Sequence, residues 1–136
     1  MFLLYDLVIG NNVLAHVPDI NSFAARLATV LKPEGTITME FPHLIQNSQF
    51  DTIYHEHFYY LSLTAVQRIF QTHGLEIYDV ELLETHGGSL RIYAAHRSYG
   101  MVRMEGSVSD LLAREKSFGL LLLKKEWARH CFGNQI

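Results

Sequence analysis

The sequence predicts an α/β fold built from a strand–helix–strand unit, a second helix and a terminal antiparallel hairpin. Three observations predict it. Apolar runs of strand length occupy residues 3–9 and 36–41, a stretch of helical periodicity lies between them, and two further strand-like runs flank Thr85-His86-Gly87-Gly88.

The first run, Leu3-Leu4-Tyr5-Asp6-Leu7-Val8-Ile9, ends at Gly10-Asn11-Asn12. Continuous apolar runs of this length are typical of strands in parallel sheets. Asp19 or Asn21 is placed to cap a helix in which Ile20, Phe23, Ala24, Leu27, Val30 and Leu31 recur on one face. Lys32-Pro33-Glu34-Gly35 stops that helix, and residues 36–41 form the second strand, closed by Pro42. Residues 43–61 mix polar and aromatic side chains without a steady period and read as a long loop, a kind that is often functional. Ser62 caps a short helix bearing Leu63, Val66, Ile69 and Phe70, which ends at His73-Gly74. Residues 75–83 and 90–95 are the hairpin strands. Two glycines mark a polar boundary over residues 99–106, after which residues 107 to about 131 read as helical.

Of the 136 residues, 49% are apolar and 18% charged, proportions that suit one globular domain. No apolar run approaches the ~20 residues of a membrane-spanning helix. The start of the chain lacks a basic n-region, so no secretory signal is read there. The single cysteine, Cys131, cannot form an internal disulfide, which points to a cytoplasmic location. Net charge is −3 and the 11 Lys and Arg residues are dispersed, so no basic stripe for nucleic acid is visible.

Chemistry is suggested first by eight histidines, two of them in Tyr54-His55-Glu56-His57. In an extended segment Tyr54 and Glu56 share one side and His55 and His57 the other. The bare pattern leaves three readings open: a polar binding site, a pair of metal ligands without an identifiable third, and an aromatic loop that only packs. The remaining candidates are bland. His86-Gly87-Gly88 is turn chemistry, His73 suits a helix C-terminus, and Tyr59 and Tyr60 are packing groups. Leu120 to Leu123 form an apolar stripe.

The order of elements resembles the second half of a class I S-adenosylmethionine-dependent methyltransferase. Residues 6–19, from Asp6-Leu7-Val8-Ile9 to His16-Val17-Pro18-Asp19, look like that fold's fourth strand and following loop. Leu31-Lys32-Pro33-Glu34-Gly35 resembles the turn before its fifth strand. More narrowly, the segment from Phe50 to Ser62 containing Tyr54-His55-Glu56-His57 is similar to the family that methylates a ring carbon of nucleotide-linked keto-sugars. His73-Gly74-Leu75 and Thr85-His86-Gly87-Gly88-Ser89-Leu90-Arg91 follow in the same order.

This resemblance implies a partial Rossmann-like sheet, strands four to seven with the terminal hairpin, plus flanking helices. Residues 1–100 would be the C-terminal half of the methyltransferase domain and 101–136 a helical extension toward a further domain. It implies His57 as the base, with Tyr54 and Glu56 beside the sugar. Asn12 and His16, four apart and so on one face of a helical turn, would meet the substrate, and Asn11 the cofactor. The geometry of the loop would decide between His57 and His55 as the better-placed base. S-adenosylmethionine is the implied cofactor and a nucleotide-linked sugar the implied partner. The family's glycine-rich cofactor loop has no counterpart, since Gly87-Gly88 is the sole glycine pair. A truncated domain, inactive alone, is therefore expected, with self-association through the exposed edge of the first strand. A non-catalytic interaction module on the same fold is the alternative.

Overall fold

Strand β1 (Tyr5–Asn11), helix α1 (Ile20–Val30) and strand β2 (Leu31–Pro42) form the leading β–α–β unit. Helix α2 (Leu63–Thr72), the hairpin of β3 (Leu75–Leu83) and β4 (Ser89–His96), and helix α3 (Gly106–Ser117) follow. The computed structural model describes residues 3–43, 57–84, 88–99 and 105–118. The four strands lie in the order β1-β2-β4-β3, with β1 parallel to β2 and the other pairs antiparallel. The strands lie side by side with the hairpin at the outer edge, as the resemblance to the methyltransferase fold implies.

Asp19 is the N-cap of α1: its carboxylate accepts from the Ser22 amide at 3.0 Å and the Ser22 hydroxyl at 2.6 Å. The other end differs from the sequence reading. No separate turn intervenes, because β2 begins at Leu31, directly after the helix. Lys32 precedes a proline and so avoids the helical region, which ends α1 on time. The Pro33-Glu34-Gly35 stretch is absorbed as an irregularity of the ladder, where Tyr5 pairs with Leu31 but Leu7 already pairs with Thr36. Glycine is needed at position 35, since a Cβ there would lie 2.9 Å from the Tyr5 carbonyl oxygen.

Ile37, Met39 and Phe41 of β2 sit opposite Ala94, Ile92 and Leu90 of β4, all buried. They join α1 through Ile20, Ala24 and Leu27, α2 through Leu63, Val66 and Phe70, and α3 through Val108 and Leu111, in one apolar core. Strand β3 breaks simple alternation to reach that core. A register shift between Ile77 and Asp79 keeps Ile77 and Val80 on the same face, opposite Ala94 and Ile92. On the other face Arg91 binds Glu40 at 2.9 Å and Glu81 at 3.2 Å, and the Tyr93 hydroxyl donates to Glu81 at 3.2 Å.

Strand β1 is the exception to burial. Val8 packs against the core and Gly10 is buried beside Met39, but Leu7 and Ile9 are 52% and 63% exposed. Among the described residues, its second edge carries no strand.

Candidate functional site

Parallel strands carry their sites at their carboxyl ends, because that is where the following turns and helix starts converge. At the end of β1, Asn11 is solvent-exposed and pairs across the ladder with Glu40. Asn12 adopts φ 56°, a left-handed conformation that asparagine tolerates better than most residues. Its amide donates to the Glu40 carbonyl at 2.8 Å, which anchors the exit from the strand. A turn closed by the His16 amide on the Val13 carbonyl (3.0 Å) comes next, with Leu14 and Ala15 buried beneath it. Asn12 therefore lies outside the turn that holds His16, rather than sharing a helical face with it.

Residues 57–60 are strapped onto this turn. The Phe58 amide donates to the Ala15 carbonyl at 2.8 Å and the Tyr59 hydroxyl to the Pro18 carbonyl at 2.9 Å. The strap brings two half-buried imidazoles together: the His16 and His57 ring centroids are 4.8 Å apart at an interplanar angle of 61°. The Tyr60 ring also meets His57 edge-on, with centroids 6.2 Å apart at 79°. Two residues singled out from segments 41 positions apart thus form one edge-on pair at the end of β1. Tyr54, His55 and Glu56 lie outside the described residues, as do His86, Cys131 and the Leu120 to Leu123 stripe.

Two buried groups escaped the sequence reading. Glu115 of α3, 1% exposed, accepts from His43 Nε2 at 2.8 Å, the Leu63 amide at 2.6 Å, the Thr64 amide at 2.8 Å and the Thr64 hydroxyl at 2.6 Å. Burial opposes its charge, but the hydrogen bonds from His43, Thr64 and Leu63 outweigh that and hold the carboxyl below its usual value of 4.5. His43, at the end of β2, bridges to Leu61, and its buried Nδ1 has no hydrogen-bond partner among the described residues. A signal for Glu115 existed in its spacing: with Val108 and Leu111 it falls on the apolar stripe of α3.

A Rossmann-like sheet ending in an antiparallel hairpin, with its site at the carboxyl end of β1, is the architecture of a methyltransferase. A sequence profile of the methyltransferase domain family matches residues 3–80, and the chain belongs to that family. The C-methyltransferase NovU of Streptomyces niveus is 38% identical over 120 residues, covering 86% of this chain and 28% of NovU. The chain thus spans little more than a quarter of that relative's length. Solved structures agree on the fold. The magnesium protoporphyrin IX methyltransferase of Synechocystis with bound S-adenosylmethionine matches with a TM-score of 0.51 and 18% identity, over 71% of this chain and 41% of that one. An S-adenosylmethionine-dependent methyltransferase of Clostridium acetobutylicum matches with a TM-score of 0.55 and 10% identity, over 71% and 60%.

S-adenosylmethionine is the cofactor that this likeness carries with it. A glycine-rich turn allowing close backbone approach to a nucleoside is not among the described residues. Three or more His, Cys, Asp or Glu residues able to hold a metal ion are likewise not clustered among them. No described helix is long and apolar enough to cross a membrane.

Proposed function

We propose that this chain is the acceptor-facing half of a C-methyltransferase acting on a nucleotide-linked keto-sugar. The observation that carries the reading is the His16–His57 pair at the carboxyl end of β1, 4.8 Å between centroids. The similarity of Tyr54-His55-Glu56-His57 to the sugar C-methylating family and the 38% identity to a C-methyltransferase support it.

In this reading His57 removes the proton from the carbon next to the ketone, an imidazole being suited to proton transfer near neutrality. Tyr54 donates to the oxygen that becomes the enolate, and Glu56 orients an imidazole or accepts a sugar hydroxyl. His16 and Asn12 hold the sugar from the β1 side, and Asn11 meets the cofactor. S-adenosylmethionine, when bound, supplies the electrophilic methyl group. Residues 1–100 form the half-domain. The 101–136 extension contains α3, whose Val108 and Leu111 join the core of the half-domain and whose Glu115 is buried. A second reading, a non-catalytic interaction module, draws its support from the exposed Leu7 and Ile9 of β1.

Proton abstraction can be tested without the methyl donor. In D2O the chain should exchange the hydrogen on the carbon next to the ketone of a nucleotide-linked keto-sugar, read by NMR. His57→Asn should slow the exchange by about 10²–10⁴-fold, the usual worth of a positioned general base. A folded wild-type chain that exchanges no faster than the His57→Asn variant overturns the catalytic reading and leaves the interaction module.

A further inference from the structure

Four hydrogen bonds converge on Glu115, a carboxylate of the last described helix, and none of the donors comes from that helix. They come from the end of β2 (His43) and the first two residues of α2 (Leu63 and Thr64). Ser62 already caps α2 by accepting from the Ala65 amide at 3.2 Å. Glu115 takes the amides just before it, so the start of α2 is capped twice, once by its own N-cap residue and once from α3. A negative charge is also favoured at that end of the helix dipole.

The segment running into α2 carries His57. It is tied at its early end to the β1 turn, through the Phe58 amide and the Tyr59 hydroxyl. At its late end Leu61 bridges to His43, and Leu63 and Thr64 end on Glu115. Residues 57–64 are therefore a strap stretched between two anchors. One anchor holds His16 and the other is a single buried carboxylate.

We infer that Glu115 is a positioning residue: by fixing the late end of the strap it sets where His57 stands against His16. It touches neither imidazole in the described contacts and acts through the strap. The catalytic consequence rests on the reading of His57 given above; the positioning itself does not.

The test uses the full chain with Glu115→Gln, which keeps the shape and removes the charge. Two readouts are followed by NMR: the His16–His57 ring-to-ring NOE, and amide hydrogen exchange at Phe58 and Thr64. The expected result is a weakened NOE and exchange faster by on the order of tenfold at both amides, the scale of one lost charge-assisted hydrogen bond. Ile92, in the middle of β4, should keep its exchange rate. An unchanged NOE with unchanged exchange at Phe58 overturns the inference. So does exchange that rises equally at Ile92, which would mark Glu115 as a general stability element. If Glu115→Gln does not fold, Thr64→Val, which removes one of the four bonds, gives the same two readouts with a smaller rise, and no rise at Phe58 overturns the inference. Faster sugar-proton exchange by wild type than by Glu115→Gln joins the two readings. If wild type exchanges no sugar proton while the NOE responds as expected, the function fails and the positioning stands.

Discussion

Removing the Glu115 side chain should be among the most damaging single changes available to this fold. Glu115→Ala deletes one acceptor group and strands its donors: the Leu63 amide and His43 Nε2 in buried surroundings, and the Thr64 amide half-buried. Each buried donor left unsatisfied costs about 1–3 kcal/mol, and three are stranded, one of them half-buried. These overlap, so a loss of about 4 kcal/mol is expected, against the ~5–15 kcal/mol of an ordinary domain. At a slope of ~2 kcal/mol/M, the urea midpoint read by circular dichroism should fall by about 2 M. The pH dependence follows from the direction of the Glu115 shift. A carboxyl held below its usual 4.5 in the folded state binds fewer protons there than when unfolded. Its contribution is therefore complete above the unfolded value and fades as pH falls through the lower folded one. The gap between wild type and Glu115→Gln should be full at pH 7 and shrink in that acid range. A gap of under ~1 kcal/mol for Glu115→Ala at pH 7, or one that does not change with pH for Glu115→Gln, would refute the reasoning.

The edge of β1 should make the chain self-associate, with an average mass in light scattering that rises with concentration. Ile9→Lys should lower that mass toward one chain, and a wild type that stays monomeric at high concentration defeats the expectation. At Asn12, where φ is 56°, Asn12→Gly should be nearly neutral in thermal melts, whereas Asn12→Val should cost about 1–2 kcal/mol for a branched side chain held left-handed. Equal melting of the two variants would show that the turn relaxes out of that conformation.

Much of the fold was legible because local chemistry and tertiary packing agree. The Asp19 and Ser62 caps, the apolar faces of α1 and α2, and the hairpin all appear where the residues place them. The discrepancies share a cause, which is that a local signal was overridden by the ladder. Pro33 and Gly35 announce a turn, yet β2 runs through them by means of a register shift against β1. Leu75, Ile77 and Val80 violate period two, and a bulge restores them to the core. At the site, the identities of His16 and His57 were legible, but their approach was not, since the bonds that tie residues 58 and 59 to the β1 turn end on the Ala15 and Pro18 backbone carbonyls, which any residue supplies. Glu115 was hidden for a different reason. A glutamate followed by lysine in a helix reads as solvent-facing, and only its register with Val108 and Leu111 says otherwise.

Buried ion pairs can often be replaced by apolar pairs of similar volume with little loss, because both charges then escape desolvation. Replacing the hydrogen-bonded His43 and Glu115 in that way should not be so mild. Two of the four donors on Glu115 are the Leu63 and Thr64 main-chain amides, which no side-chain substitution removes. His43→Leu alone leaves the carboxylate capping α2 and should be the milder change. Glu115→Leu exposes the amides to an apolar neighbour and should be severe. In the double variant the imidazole no longer needs a partner, but the amides still do, so its stability should stay close to that of Glu115→Leu rather than return toward wild type. Urea denaturation of the four proteins supplies the comparison as a double-mutant cycle. Recovery of wild-type stability by the double variant would mean that the side-chain pair, and not the capping of α2, is what Glu115 is buried to provide.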